Sequence, residues 1–214
     1  MAVDPDPALP PLKLDVGPPA WLAATPRPFV PTNIHARYDV ALPDVAVIQF
    51  AENLAERIAR LTRVSTARDA ADLWWAATTT PHSNSDRKLV RQLAVLKVWV
   101  DNHGLDGHWA PADRAAPFDP AHWLRRGRNW DDEQIGFLTH PPPPLEELEA
   151  ALVGHDGWLA DVTDHQRRWA RCDSADVAEV VNAIAELPGA SLTAEQLWST
   201  HEPCPRSVGR CSGV

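Results

Sequence analysis

The 214-residue chain is 44% apolar and 23% charged, with a formal net charge of −9. That apolar share suffices for one domain, or one with a small appendage, and the negative balance excludes a protein that coats nucleic acid with its whole surface. No apolar run approaches the roughly 18 residues that span a bilayer, and no basic start leads into an apolar segment, so a cytoplasmic protein without membrane contact is expected.

Residues 1–11 hold Pro5, Pro7, Pro10 and Pro11 and read as an extended start. Leu12–Val16 alternates as a strand does, and Gly17-Pro18-Pro19 ends it. Residues 20–44 are Pro-rich, with one candidate strand at Ile34–Val40. Val45–Ile48 is a short β-branched run and reads as a strand leading into a helix. Phe50, Leu54, Ile58 and Leu61 recur at helical spacing, which predicts an amphipathic helix over 49–62. Thr66 with Asp69 forms a variant capping box for a second helix over about 67–79, burying Leu73, Trp74 and Ala77. A third helix is expected over about 85–102, with Leu89, Leu93, Leu96 and Val100 as its stripe and Gly104 just beyond it.

Residues 103–120 read as a loop, followed by short helices near 120–126 and 131–138. The run Pro141 to Pro144 is a stiff spacer, and Leu145, Leu148 and Leu152 face the core from the next helix. Residues 157–171 are expected to be helical. Ser174 is the expected cap of a further helix that holds Val177, Val181, Ile184 and Leu187 and ends at Pro188-Gly189. Thr193 and Gln196 make a capping box for a last short helix, and the tail from Pro203 is expected to be disordered.

The ten tryptophans are expected mainly as core packing, and the arginine clusters at 57, 60 and 63, at 125, 126 and 128, and at 167, 168 and 171 as solvated faces paired with carboxylates. Cys172, Cys204 and Cys211 have no CxxC spacing, and no disulfide framework is expected. Neither His103 with His108 nor His201 with Cys204 and Cys211 supplies the four spaced ligands of a structural zinc site. A faint helix-turn-helix cadence near 192–210 leaves almost no length for a recognition helix.

Asp15 stands on a short apolar strand. Far downstream come Ala-Glu-x-Leu-Ala-Glu-Arg at 51–57, and Ala-Arg-Asp-x-x-Asp-Leu at 67–73. This order resembles the AbiEii/AbiGii toxin family, nucleotidyltransferase-like proteins of bacterial toxin–antitoxin and phage-defence systems that include MenT-type toxins. The family's first helix carries Glu-Lys, and Arg57 stands where that Lys would be. Arg68-Asp69 and Asp72-Leu73 match its Arg-Asp-x-Tyr-Asp-Leu motif, with Ala71 in place of Tyr. The resemblance covers about 12–155.

It implies an α+β fold, predominantly α-helical, with a partial nucleotidyltransferase-like sheet at the N-terminal edge packed on a helical bundle. It implies transfer of a nucleotide from an NTP, with Mg2+, to an RNA (tRNA among them) or protein acceptor, and a cognate antitoxin as partner. Asp15 would be the metal-side carboxylate, Arg57 and Arg68 the nucleotide-facing cations, and Asp69 and Asp72 the acids of the second helix. Divalent ions held by carboxylates neutralise a triphosphate, and a nearby cation stabilises the transferred group.

The family's Gly-Ser turn and Asp-x-Asp pair would precede the strand of Asp15, where Asp4 and Asp6 stand among prolines without such a turn. Two readings therefore stay open: a toxin lacking its N-terminal portion and inactive alone, or a non-catalytic helical module that binds a partner protein. The expected division is 1–48 as the Pro-rich segment with remnant strands, 49–171 as a helical domain, 172–202 as C-terminal helices and 203–214 as tail.

Overall fold

The computed structural model describes residues 20–30, 33, 42–79, 83–104, 118–126, 144–150, 161–172 and 176–201. Two short strands, β1 (Thr25–Pro28) and β2 (Asp44–Val47), pair antiparallel in the register Thr25↔Val47 and Pro28↔Asp44. Eight described helices follow: α1 (Phe50–Arg60), α2 (Ala67–Thr79), α3 (Asn84–Gly104), α4 (Pro120–Arg126), α5 (Leu145–Ala150), α6 (Asp164–Ala170), α7 (Val177–Ala185) and α8 (Ala194–His201). The fold is mostly helical with a small sheet at its N-terminal edge, as expected. The expected strands at Leu12–Val16 and Ile34–Val40, the helix near 131–138 and the cap at Ser174 lie outside the described residues.

β1 was not anticipated, because Pro26 and Pro28 argue against a strand. Proline cannot donate to a ladder and is confined to edges; in a two-stranded ribbon every strand is an edge. Of the helix expected over 157–171, residues 157–160 lie outside the described residues, and the described helix starts at Asp164, where Thr163 caps it. The Thr163 hydroxyl accepts from the Gln166 amide at 3.2 Å, and the Gln166 side chain accepts from the Thr163 amide at 3.0 Å. The capping box at Thr193 forms in the same way, with bonds of 2.8 and 3.2 Å.

α3 is the central element. Its buried run from Leu93 to Trp99 packs against α1, α6 and α7. Leu54, Ile58 and Leu61 supply the α1 side of the core, but Phe50, the first residue of the expected stripe, is exposed at the helix start. Trp21, Trp99, Trp123 and Trp169 are core residues, Trp74 is half-buried, and Trp75 is exposed. Leu187, expected inside α7, is buried just past its end.

One buried charge fixes how the chain enters this bundle. Glu52, on α1, is 1% exposed. Its two carboxylate oxygens accept from the backbone amides of Trp21 (2.8 Å) and Leu22 (2.9 Å), and the Lys97 ammonium of α3 lies 3.2 Å away. The same ammonium sits 4.3 Å from the centre of the Trp21 ring, a cation–π contact. From the other side, the Ala23 amide donates to the Gly189 carbonyl (2.8 Å) and the Ser191 amide to the Trp21 carbonyl (2.7 Å). Gly189 takes a left-handed φ of +78°, which turns the chain from α7 toward this contact. Residues 20–23 are thus held between α1 and the turn before α8.

Glu52→Ala leaves two buried amides and a buried ammonium without their acceptor. It is expected to cost about 3–5 kcal/mol, the usual penalty for breaking a buried pair. Urea unfolding checks this: combining Glu52→Gln with Lys97→Met is expected to cost less than the two single changes summed.

Candidate functional site

α1 buries Leu54 and Ile58, which leaves Arg57 and Arg60 on its flank facing the start of α2. There Thr66 sets the geometry. Its hydroxyl accepts from the Asp69 amide (3.1 Å) and donates to the Asp69 carboxylate (2.7 Å), so Asp69 is fixed in the first turn. The N-terminal end of a helix favours a carboxylate at this place.

Asp69 is fully buried. Arg57 Nη1 donates to its Oδ1 at 2.6 Å, and Arg60 Nη2 lies 3.5 Å from its Oδ2. The other arm of the Arg57 fork reaches Asp72, with Nη2 to Oδ2 at 3.4 Å. Arg57 is therefore held in one orientation by two acids of α2, three residues apart on one face. It keeps 19% exposure and lines a cavity of about 200 Å3 together with Phe50, Asn53, Asp72 and Trp75. Asp72 is half exposed at this cavity.

The structure thus brings three of the expected site residues together: Arg57, Asp69 and Asp72. Arg68 is exposed on α2 and does not line the cavity. Asp15 lies outside the described residues. Both Asp69 oxygens are committed to Arg57, Arg60 and Thr66, and no group of three potential ligand side chains forms a metal site among the described residues. Of the two acids of α2, Asp72 is the one left open at the cavity.

A second charged cluster adjoins the first and was not anticipated. Lys97 bridges Glu52 to Glu56 (3.2 Å), and Arg63 lies 3.8 Å from Glu56 and 3.2 Å from Asp101 on α3. Two signals mark it in the sequence. Glu52 shares a helical face with Ala55 and Ala59, and Lys97 falls four residues after Leu93 on the buried stripe of α3. Each signal marks a charge on an apolar stripe; the packing of α1 on α3 makes the two a pair. The arginine cluster at 167 and 168 is likewise paired, with Asp164, Asp176 and Glu179, as expected of a solvated face.

A family model described as nucleotidyl transferase AbiEii toxin, type IV TA system, matches residues 2–154. Among solved structures, MenT4, a nucleotidyltransferase toxin from Mycobacterium tuberculosis H37Rv, is similar at 33% identity and a TM-score of 0.62. The match covers 77% of this chain and 53% of MenT4, so the chain spans about half the length of that protein. No curated protein matches the chain in sequence.

Burial pushes the Asp101 carboxyl above its ordinary value of 3.8, with Glu56 adding to the rise, while Arg63, Lys97 and Arg60 oppose it. Its raised folded value means that the folded state holds the proton better than the unfolded chain. The resulting stabilisation is full below 3.8 and is lost as pH rises through the folded value. Asp101→Asn removes this dependence. The thermal midpoint of the variant, relative to wild type, is expected to rise between pH 4 and pH 7; a constant difference would contradict it.

Proposed function

We propose a function from one premise: the chain belongs to the AbiEii family of nucleotidyltransferase toxins, of type IV toxin–antitoxin systems. From this we infer that it transfers a nucleotide from an NTP to an RNA, tRNA among them, or to a protein acceptor. The acceptor hydroxyl attacks the α-phosphorus, its proton is lost, and pyrophosphate leaves. The observation that carries this reading is Arg57, locked by the buried Asp69 and opening on a cavity that Asp72 also lines.

In this reading Arg57 is the phosphate-facing cation. Its planar fork is already oriented, so little freedom is lost when it meets the charge that builds on the transferred group. Asp69 is a positioning residue, because its oxygens are occupied by Arg57, Arg60 and Thr66. Asp72 is the acid with access to substrate. Arg68, exposed one turn before Asp72 and outside the cavity lining, is a nucleotide-facing cation by family resemblance alone. Magnesium, and the place of Asp15 beside it, rest on family resemblance. A cognate antitoxin, a cytoplasmic location and a role in toxin–antitoxin or phage-defence systems complete the proposal. No described helix is long and apolar enough to cross a membrane.

Calorimetry with magnesium and each of the four nucleoside triphosphates tests this reading, together with transfer of label from an α-labelled NTP. Wild type is expected to bind at least one of them, and Arg57→Ala to weaken that binding at least tenfold. Asp72→Asn is expected to keep binding and lower transfer. A folded wild-type chain that binds none of the four would sink catalysis by this chain and favour the partner-binding module.

A further inference from the structure

The two outer edges of the ribbon differ. Proline nitrogens carry no hydrogen, so Pro26 and Pro28 take the positions of β1 that face away from β2, and the bonded pairs are Thr25 with Val47 and Arg27 with Val45. The outer edge of β1 therefore lacks donors at 26 and 28. The outward amides and carbonyls of β2 are those of Asp44 and Ala46, and no described residue bonds to them. All four residues of β2 are exposed. Val45, Val47 and, just beyond the strand, Ile48 are each 38% exposed. Val30, two residues past β1, is 81% exposed.

An open apolar edge is a template for another strand, and a two-stranded ribbon is marginal until more strands join it. The run Asp44–Ile48 fits its own copy. Set antiparallel with Ala46 on a two-fold axis, all five residues pair. The outward amide and carbonyl of Ala46 then meet those of Ala46 in the second copy. Val45 stands opposite Val47 of the second copy, a β-branched pair that stabilises a sheet. Charge permits this register. Arg27 and Asp44 are the charges of the two strands, so the ribbon is neutral in a chain of −9. Asp44 falls opposite Ile48 of the second copy, and the two Asp44 carboxylates stand four residues apart along the strands. That is roughly 14 Å, beyond the Debye length of about 8 Å. A register that pairs Val45 with Val45 halves this distance.

We propose that a second copy of this chain docks on the open edge of β2, forming a four-stranded antiparallel sheet across a two-fold axis at Ala46. The contact is isologous, so it closes at a dimer. Pro26 and Pro28 stop further growth, because they lie on both outer edges of the combined sheet. A single strand pairing on each side is a small interface, so the association is weak and reversible.

Sedimentation velocity of the full chain, at concentrations up to roughly 1 mM, tests the proposal. A reversible monomer–dimer equilibrium is expected. Ala46→Pro removes an outward amide that β1 does not use. It is expected to weaken the dimer at least about tenfold while its circular dichroism matches wild type. Ala46→Cys reads the register, because a bonded antiparallel pair holds its Cα atoms about 5.5 Å apart, within disulfide reach. In a chain that also carries Cys204→Ser and Cys211→Ser, mild oxidation is expected to cross-link it into a dimer. Val45→Cys in the same background is expected to cross-link with Val47→Cys and not with itself. A wild type that stays monomeric throughout overturns the proposal. So does a dimer that Ala46→Pro leaves intact, which places the contact on another face. Protection of the Asp44 and Ala46 amides from hydrogen exchange in a monomer assigns the edge to another segment of this chain and overturns it as well. Val45→Cys that cross-links with itself, where Ala46→Cys does not, overturns the axis at Ala46.

Discussion

Glu52 is the constraint on which the described fold depends. It is an acid without water, and such a group persists only when every lone pair is answered. Here three groups answer from two places distant in sequence: the amides of residues 21 and 22, and Lys97 of α3. The carboxylate thereby sets the distance between α1 and α3 and the place where the chain enters the bundle. The turn at 187–191 closes the other side of residues 20–23. This turn lies beyond the matched family segment of 2–154. The helices after residue 160 therefore contribute to the positioning of the family part itself: α6 and α7 pack on α3, and the turn after α7 holds the segment that Glu52 caps.

The Arg57–Asp69 pair answers to two descriptions at once. It ties α1 to α2, as a structural ion pair would. It also holds a guanidinium in a fixed orientation at a cavity, as a phosphate site requires. The two do not compete, since a cation that must meet transient charge without reorganising needs a rigid, buried anchor. The division of labour between the two acids follows from exposure. Asp69 has no accessible surface and both of its oxygens already have partners, while Asp72 is open to the cavity.

Elements set by local rules were legible in the sequence. The spacing of Leu54, Ile58 and Leu61 marks α1, Leu93 and Leu96 mark α3, and the caps at Thr66 and Thr193 mark the starts of α2 and α8. Arg57, Asp69 and Asp72 were legible through motif resemblance, and the structure places them together. What escaped depends on partners far along the chain. β1 exists because a ribbon edge tolerates Pro26 and Pro28. Phe50 looks like the first residue of an apolar stripe, yet it precedes the part of α1 that α3 covers. Glu52 and Lys97 read singly as surface charges; only the approach of α1 to α3 makes them one buried pair.

The charge balance bears on what the cavity at Arg57 can recognise. Arg57, Arg60 and Arg63 form a dense cationic run in sequence, but in the fold Asp69, Asp72, Glu56 and Asp101 face them. A net charge of −9 adds repulsion for any polyanion at long range. The described arginines therefore make no broad positive field, and the charge offered to an anion at the cavity is the single fixed guanidinium of Arg57.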